Sequence, residues 1–153
     1  MVFNCKSELE LDDVAEKVIE IANNFKFKTA FVVGLYGDLG SGKTTFIKRL
    51  AKKLNILEIV TSPTFVLQKK FEIQNPSDIF SGREYKNIYH LDVYRVESEE
   101  EMSSLRWFET INNSENIVLV EWANLIENVL PEKILKLEFS VVDENTRRVE
   151  IIE

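Results

Sequence analysis

Eight residues, Gly37-Asp-Leu-Gly-Ser-Gly-Lys-Thr44, carry the clearest chemistry in this chain. They match the pattern G-x-x-x-x-G-K-[ST]. Each residue type has a physical reason to be there. The glycines let the backbone curl, so that successive N–H groups of Asp38, Leu39, Gly40, Ser41 and Gly42 converge on phosphate oxygens. A helix beginning near Lys43 points its N-terminus at the same anion. Lys43 brings a positive charge against the β- and γ-phosphates, Thr44 offers a hydroxyl to Mg²⁺, and Thr45 is placed to touch an α-phosphate oxygen. At average residue usage the pattern arises by chance in about one chain in two hundred of this length. The loop therefore implies a nucleoside triphosphate. There is no Asn-Lys-x-Asp guanine-recognition motif, which favours ATP with Mg²⁺ over GTP.

Phosphate chemistry also needs a carboxylate to complete the metal's shell or orient a water. Glu121 ends the apolar run Ile117-Val-Leu-Val120, at the carboxyl end of a buried strand, where open α/β sheets bind ligands. Asp92, in Tyr89-His-Leu-Asp-Val-Tyr-Arg95, is the second candidate. Which of the two orients the water is open at this point. Thr64, in Thr61-Ser-Pro-Thr-Phe65, is a candidate nucleotide-sensing switch residue, although Pro63 makes a turn there in any case. His90 is the only histidine and is assigned no role.

The elements that must hold these residues follow from periodicity. Leu11, Val14, Val18, Ile21 and Phe25 recur every three or four positions, which predicts an amphipathic helix over 9–24. Ser7 and Glu10 have capping-box spacing ahead of it. The apolar run 29–36 reads as a strand covered on both faces, and Phe46, Ile47, Leu50, Ala51 and Leu54 mark one face of the helix after the loop. Further strands are expected at 87–96 and 117–120, with an acidic helix over about 99–107 between them. A short helix precedes Pro131, and 133–142 with 148–152 form a terminal hairpin turning at 143–146. Residues 72–86, with Pro76 and Gly82, read as a surface insertion. Strands alternating with helices imply a single domain over 1–153. Its expected fold is a three-layer α/β sandwich of the P-loop NTPase type, with a largely parallel central sheet and antiparallel edge hairpins.

Composition narrows the function classes. The chain has 153 residues, 44% of them hydrophobic, and a formal net charge of −7. That acidity argues against a stand-alone nucleic-acid binder, which would show a basic footprint. Cys5 is the single cysteine, so no intramolecular disulfide forms. No run reaches the length of a membrane span, and acidic residues interrupt the place of a signal peptide's apolar core. A cytoplasmic protein is the simplest expectation.

Four segments taken together, Leu35–Phe46, Ser62–Phe65, Tyr89–Arg95 and Val118–Trp122, resemble in order and content the TsaE (YjeE) family. That resemblance implies ATP binding with slow, partner-dependent hydrolysis. It also implies association with the TsaD and TsaB subunits, which transfer threonylcarbamoyl to adenosine 37 of tRNA, the tRNA being engaged only indirectly. It maps Thr44 and Glu121 onto the Mg²⁺ positions, Asp92 onto an acid important for ATPase activity and Thr64 onto a switch-like segment. A basic residue near the nucleotide maps onto Arg147 or Arg148. There are departures: the 72–86 segment is longer than usual, and a Leu-Gly pair after the acidic helix is Leu105-Arg106. A hydroxyl residue near the base aligns with Leu11, with Ser7 as a substitute.

Two other functions fit the loop. A small-molecule or nucleotide kinase would need a lid with phosphoryl-clamping arginines, for which 72–86 offers only Arg83. A nucleotide-dependent binding module with little turnover overlaps the ATPase reading, and hydrolysis measured with and without partners separates the two.

Overall fold

A computed structural model describes residues 1–58, 60–61 and 67–153. In chain order the elements are β1 (Val2–Cys5), α1 (Leu11–Asn24), β2 (Phe31–Tyr36), α2 (Lys43–Lys53), β3 (Gln68–Glu72), β4 (Asn87–Asp92), α3 (Glu99–Ser104), α4 (Trp107–Ile111), β5 (Asn116–Glu121), β6 (Leu135–Val141) and β7 (Arg147–Ile152). Short 3₁₀ turns lie at Glu8–Glu10, Pro76–Asp78, Ala123–Leu125 and Glu127–Val129. The strands form one mixed sheet in the order β1-β7-β6-β2-β5-β4-β3. β6, β2, β5 and β4 run parallel; β7 and β3 pair antiparallel with β6 and β4, and β1 pairs antiparallel with β7 at the edge.

The period-2 alternation of the central strands sorts their side chains between two apolar clusters. Phe31, Val33, Leu35, Ile117 and Leu119 face Val14, Val18, Phe46 and Leu50 of α1 and α2. Val32, Val118 and Val120 face Met102, Trp107 and Ile111 of α3 and α4. Every residue of β5 is buried, as expected of a strand covered on both sides. Arg49 clamps α2 to α1, its Nε and Nη2 donating to the Asp12 carboxylate at 2.6 and 2.5 Å. That hydrogen bond is the main reason the Asp12 carboxyl is held below its ordinary pKa.

Two local expectations are corrected and a third is sharpened. The Ser7 hydroxyl caps nothing; Glu10 instead accepts from the Lys6 N–H at 2.9 Å. The acidic helix is two helices, broken where Arg106 takes φ 55° and ψ 36°. That left-handed conformation favours glycine, which accounts for a Leu-Gly pair at the corresponding place in the resemblance. The segment 72–86 lies largely on the surface, as expected, and is pinned there by a few residues. Ile73, Phe80 and Tyr85 are buried, and the Tyr85 hydroxyl donates to Ala22 O at 3.0 Å. The Arg83 guanidinium donates to the carbonyls of Ser114, Phe25, Phe27 and Thr29 at 2.6–3.1 Å.

Arg83 therefore joins the end of α1, the entry to β2 and the entry to β5. Arg83→Ala leaves several half-buried carbonyls without their charged donor, a loss of about 2 kcal/mol. Thermal unfolding should show a midpoint lower by about 4–8 °C. A shift below about a degree would mean that water replaces these bonds at no cost.

Candidate phosphate-binding site

The loop after β2 turns on glycines. Gly37 has φ 131°, and a Cβ there would stand 2.3 Å from Phe139 O, so no other residue fits without moving β6. Gly42 has φ 109° and precedes α2, whose first turn has no side-chain cap. The early N–H groups of such a helix have no intrahelical partner and present a partial positive charge to the loop. Ser41 is buried, and its Oγ has no hydrogen-bond partner among the described residues. No atom lies within 4 Å of a Cβ built on Gly40.

Lys43 is 4% exposed. Its ammonium donates to Gly37 O at 2.5 Å and Asp38 O at 2.9 Å and sits 4.2 Å from the centre of the Trp122 ring. Burial lowers its pKa, opposed by the negative charges of Glu121, Asp92 and Asp38. An ammonium has three donors, so this buried cation keeps one beyond the two loop carbonyls.

Two parallel pairings carry the acids to the same place. Leu35 is in register with Glu121 across β2 and β5, and Asp92 with Glu121 across β4 and β5. Beyond the last rungs, Trp122 N–H donates to Leu35 O at 3.1 Å and Val93 N–H to Glu121 O at 3.3 Å, fixing the three strand ends together. Glu121 is 3% exposed. The Thr44 hydroxyl lies 2.9 Å from both of its carboxylate oxygens, and His90 Nε2 lies 2.8 Å from Oε1. Asp92 Oδ1 accepts from Tyr94 N–H at 3.2 Å. Trp122 holds a left-handed φ of 61°, a conformation that costs a non-glycine residue about 1–2 kcal/mol. Its indole packs against Lys43 and against the Tyr94 ring, whose centroid is 5.0 Å away.

Two clefts meet on the loop, each of about 330 Å³. One is lined by Leu39, Lys43, Thr44, Asp92, Glu121 and Trp122. The other runs past Arg147 to Cys5, Ser7, Glu8, Leu11 and Asn145. Gly40, Gly42 and Thr45 line both. Arg147, not Arg148, borders the second cleft; the Arg148 guanidinium pairs with Glu150 at 2.8 Å. Thr64 lies outside the described residues. The remaining residues singled out from the sequence, Asp38 to Thr45, Asp92, Glu121 and Arg147, all converge here. His90 and Trp122 were missed, and so were Cys5, Glu8 and Asn145. For His90 the available signal was its position two residues before Asp92 on one strand, which puts both on the same face.

The site's donors suit a hard cation shared with phosphates. A hydroxyl and a carboxylate are oxygen ligands, the kind Mg²⁺ takes in ones and twos beside substrate phosphates. Among the described residues there is no group of three or more histidine, cysteine or acidic side chains that would cage a metal alone.

Comparison with known proteins gives one consistent outcome. Residues 5–149 match the family model described as threonylcarbamoyl adenosine biosynthesis protein TsaE. The Bacillus subtilis protein named tRNA threonylcarbamoyladenosine biosynthesis protein TsaE is 38% identical over 122 residues, covering 80% of this chain and 69% of that protein. The Borreliella burgdorferi protein of the same name is 30% identical over 145 residues, 93% of each chain. A crystal structure of Bacillus subtilis YdiB superposes with a TM-score of 0.68 at 29% identity, covering 97% of this chain and 82% of that one.

Proposed function

The chain belongs to the TsaE family of threonylcarbamoyl adenosine biosynthesis proteins, and from that premise we propose that it is a P-loop ATPase subunit for threonylcarbamoylation of tRNA. It binds ATP with Mg²⁺, hydrolyses it slowly, and acts with the TsaD and TsaB subunits, which engage the tRNA. The observation that carries this reading is the Thr44–Glu121 contact beside Lys43, at the uncapped start of α2. Few other chemistries ask for a hydroxyl, a carboxylate and a buried ammonium around a glycine loop.

In this reading the loop amides and the N-terminus of α2 cradle the phosphates. Lys43 stabilises charge developing on the γ-phosphoryl oxygens as water attacks in line. Thr44 and Glu121 would hold the Mg²⁺, which would supply charge neutralisation to the phosphates. Asp92 or Glu121 orients the water. The nucleoside extends into the second cleft, towards Ser7, Leu11 and Arg147. Among the described residues no helix is long and apolar enough to cross a membrane; a cytoplasmic location is part of the same proposal.

The kinase reading loses support from Arg83. The only arginine of 72–86 donates to four backbone carbonyls and is occupied structurally. The deciding experiment is reconstitution of tRNA modification with cognate TsaD and TsaB. Modification is expected to stall after early turnover when this protein is omitted and to continue when it is added with ATP. Sustained modification without it would overturn the proposal, and phosphoryl transfer to a metabolite would favour the kinase.

A further inference from the structure

His90 is fully buried, with 0% of its surface exposed, and lines neither cleft. It stands on β4 between two paired neighbours, in register with Lys69 of β3 and Leu119 of β5. A histidine so placed has no path to a ligand and little freedom to turn. Its Nε2 nevertheless lies 2.8 Å from Glu121 Oε1, and its Nδ1 has no hydrogen-bond partner among the described residues. An ionised carboxylate only accepts, so the tautomer that satisfies Glu121 carries its proton on Nε2. The carboxylate is thus held from two elements, by Thr44 of α2 and by His90 of β4.

The two donors are not equivalent. Thr44 borders the phosphate cleft, and its hydroxyl is the group that must turn towards a bound ligand. His90 sits behind the carboxylate. We propose that His90 is a positioning residue: it fixes the Glu121 carboxylate by an Nε2–H hydrogen bond and keeps it aimed at the cation when the Thr44 hydroxyl is engaged elsewhere. The inference rests on the Mg²⁺–ATP reading of the site. Groups that orient a metal-binding side chain without touching the metal commonly change metal affinity by about 10–100-fold.

The test is a Mg²⁺ titration of fluorescent ATP-analogue binding, with thermal unfolding and analogue affinity in EDTA measured alongside. His90→Leu removes the donor at similar volume. It is expected to raise the half-maximal Mg²⁺ concentration by about tenfold or more while leaving affinity in EDTA within about twofold of wild type. His90→Gln places an amide N–H near the Nε2 position and is expected to restore the Mg²⁺ dependence; His90→Asn, whose amide falls short, is not. Should the leucine variant fail to fold, the Gln and Asn variants alone carry the comparison. Equal Mg²⁺ dependence in Gln and Asn, or a wild-type dependence in Leu, overturns the inference. Absence of any Mg²⁺-dependent binding in the unaltered protein overturns the proposed site first, and the inference with it.

Discussion

Lys43→Ala is expected to abolish most ATP turnover, by about 10²-fold or more, and to weaken binding of a fluorescent ATP analogue. The size of the effect follows from where the charge sits. Lys43 is almost wholly buried between the loop carbonyls and the Trp122 ring, in surroundings less polar than water. There its field on a phosphate is far less screened than on a surface. The same burial lowers its pKa, which means the fold bears a cost to keep this ammonium charged. Alanine relieves that cost while releasing two part-buried carbonyls. Thermal stability should therefore change much less than turnover. A variant that unfolds at the wild-type temperature and hydrolyses ATP at the wild-type rate would remove Lys43, and the loop with it, from the proposed mechanism.

Local signals account for what was legible in the sequence. The loop from Gly37 to Thr44 could be read because its backbone needs residue types that few other structures need. Glu121 could be read because an apolar run on a doubly covered strand ended on an acid. The parallel centre of the sheet followed from the same runs. The illegible parts depend on pairing between distant segments. Val2–Cys5 is too short to show a strand pattern, yet its pairing with β7 brings Cys5 and Ser7 beside Arg147 to form the second cleft. Residues 72–86 are polar enough to read as a loop. Their anchors are single residues, Ile73, Phe80, Arg83 and Tyr85, without a helical or strand period. His90 gave no signal by type alone. Its place two residues before Asp92 puts it on the same face of a strand, but its contact with Glu121 depends on the pairing of β4 with β5. Arg106 and Trp122 occupy left-handed conformations that nothing in their own chemistry announces.

Glu121 gives the second large effect, of a different kind. Glu121→Ala is expected to cut hydrolysis by about 10²-fold while nucleotide affinity in EDTA stays within a few-fold of wild type. The phosphate cradle belongs to the loop amides, Lys43 and the start of α2, none of which the substitution removes. The carboxylate, by contrast, is the partner of the Thr44 hydroxyl and the only strand-end acid bonded to it among the described side chains. Alanine has a side effect to separate out. It leaves the buried His90 Nε2–H without its acceptor, a cost of about 1–3 kcal/mol, so the unfolding midpoint should fall. Glu121→Gln controls for this, because its carbonyl oxygen still accepts from His90 while the negative charge is gone. Turnover lost equally in Gln and Ala, with the midpoint lowered only in Ala, assigns the loss to the charge. Turnover retained in Gln would make Glu121 a structural acceptor and leave Asp92 as the acid that serves the reaction. If Lys43→Ala and Glu121→Ala instead lose binding and hydrolysis to the same extent, the division between a loop that binds and a strand end that hydrolyses does not hold.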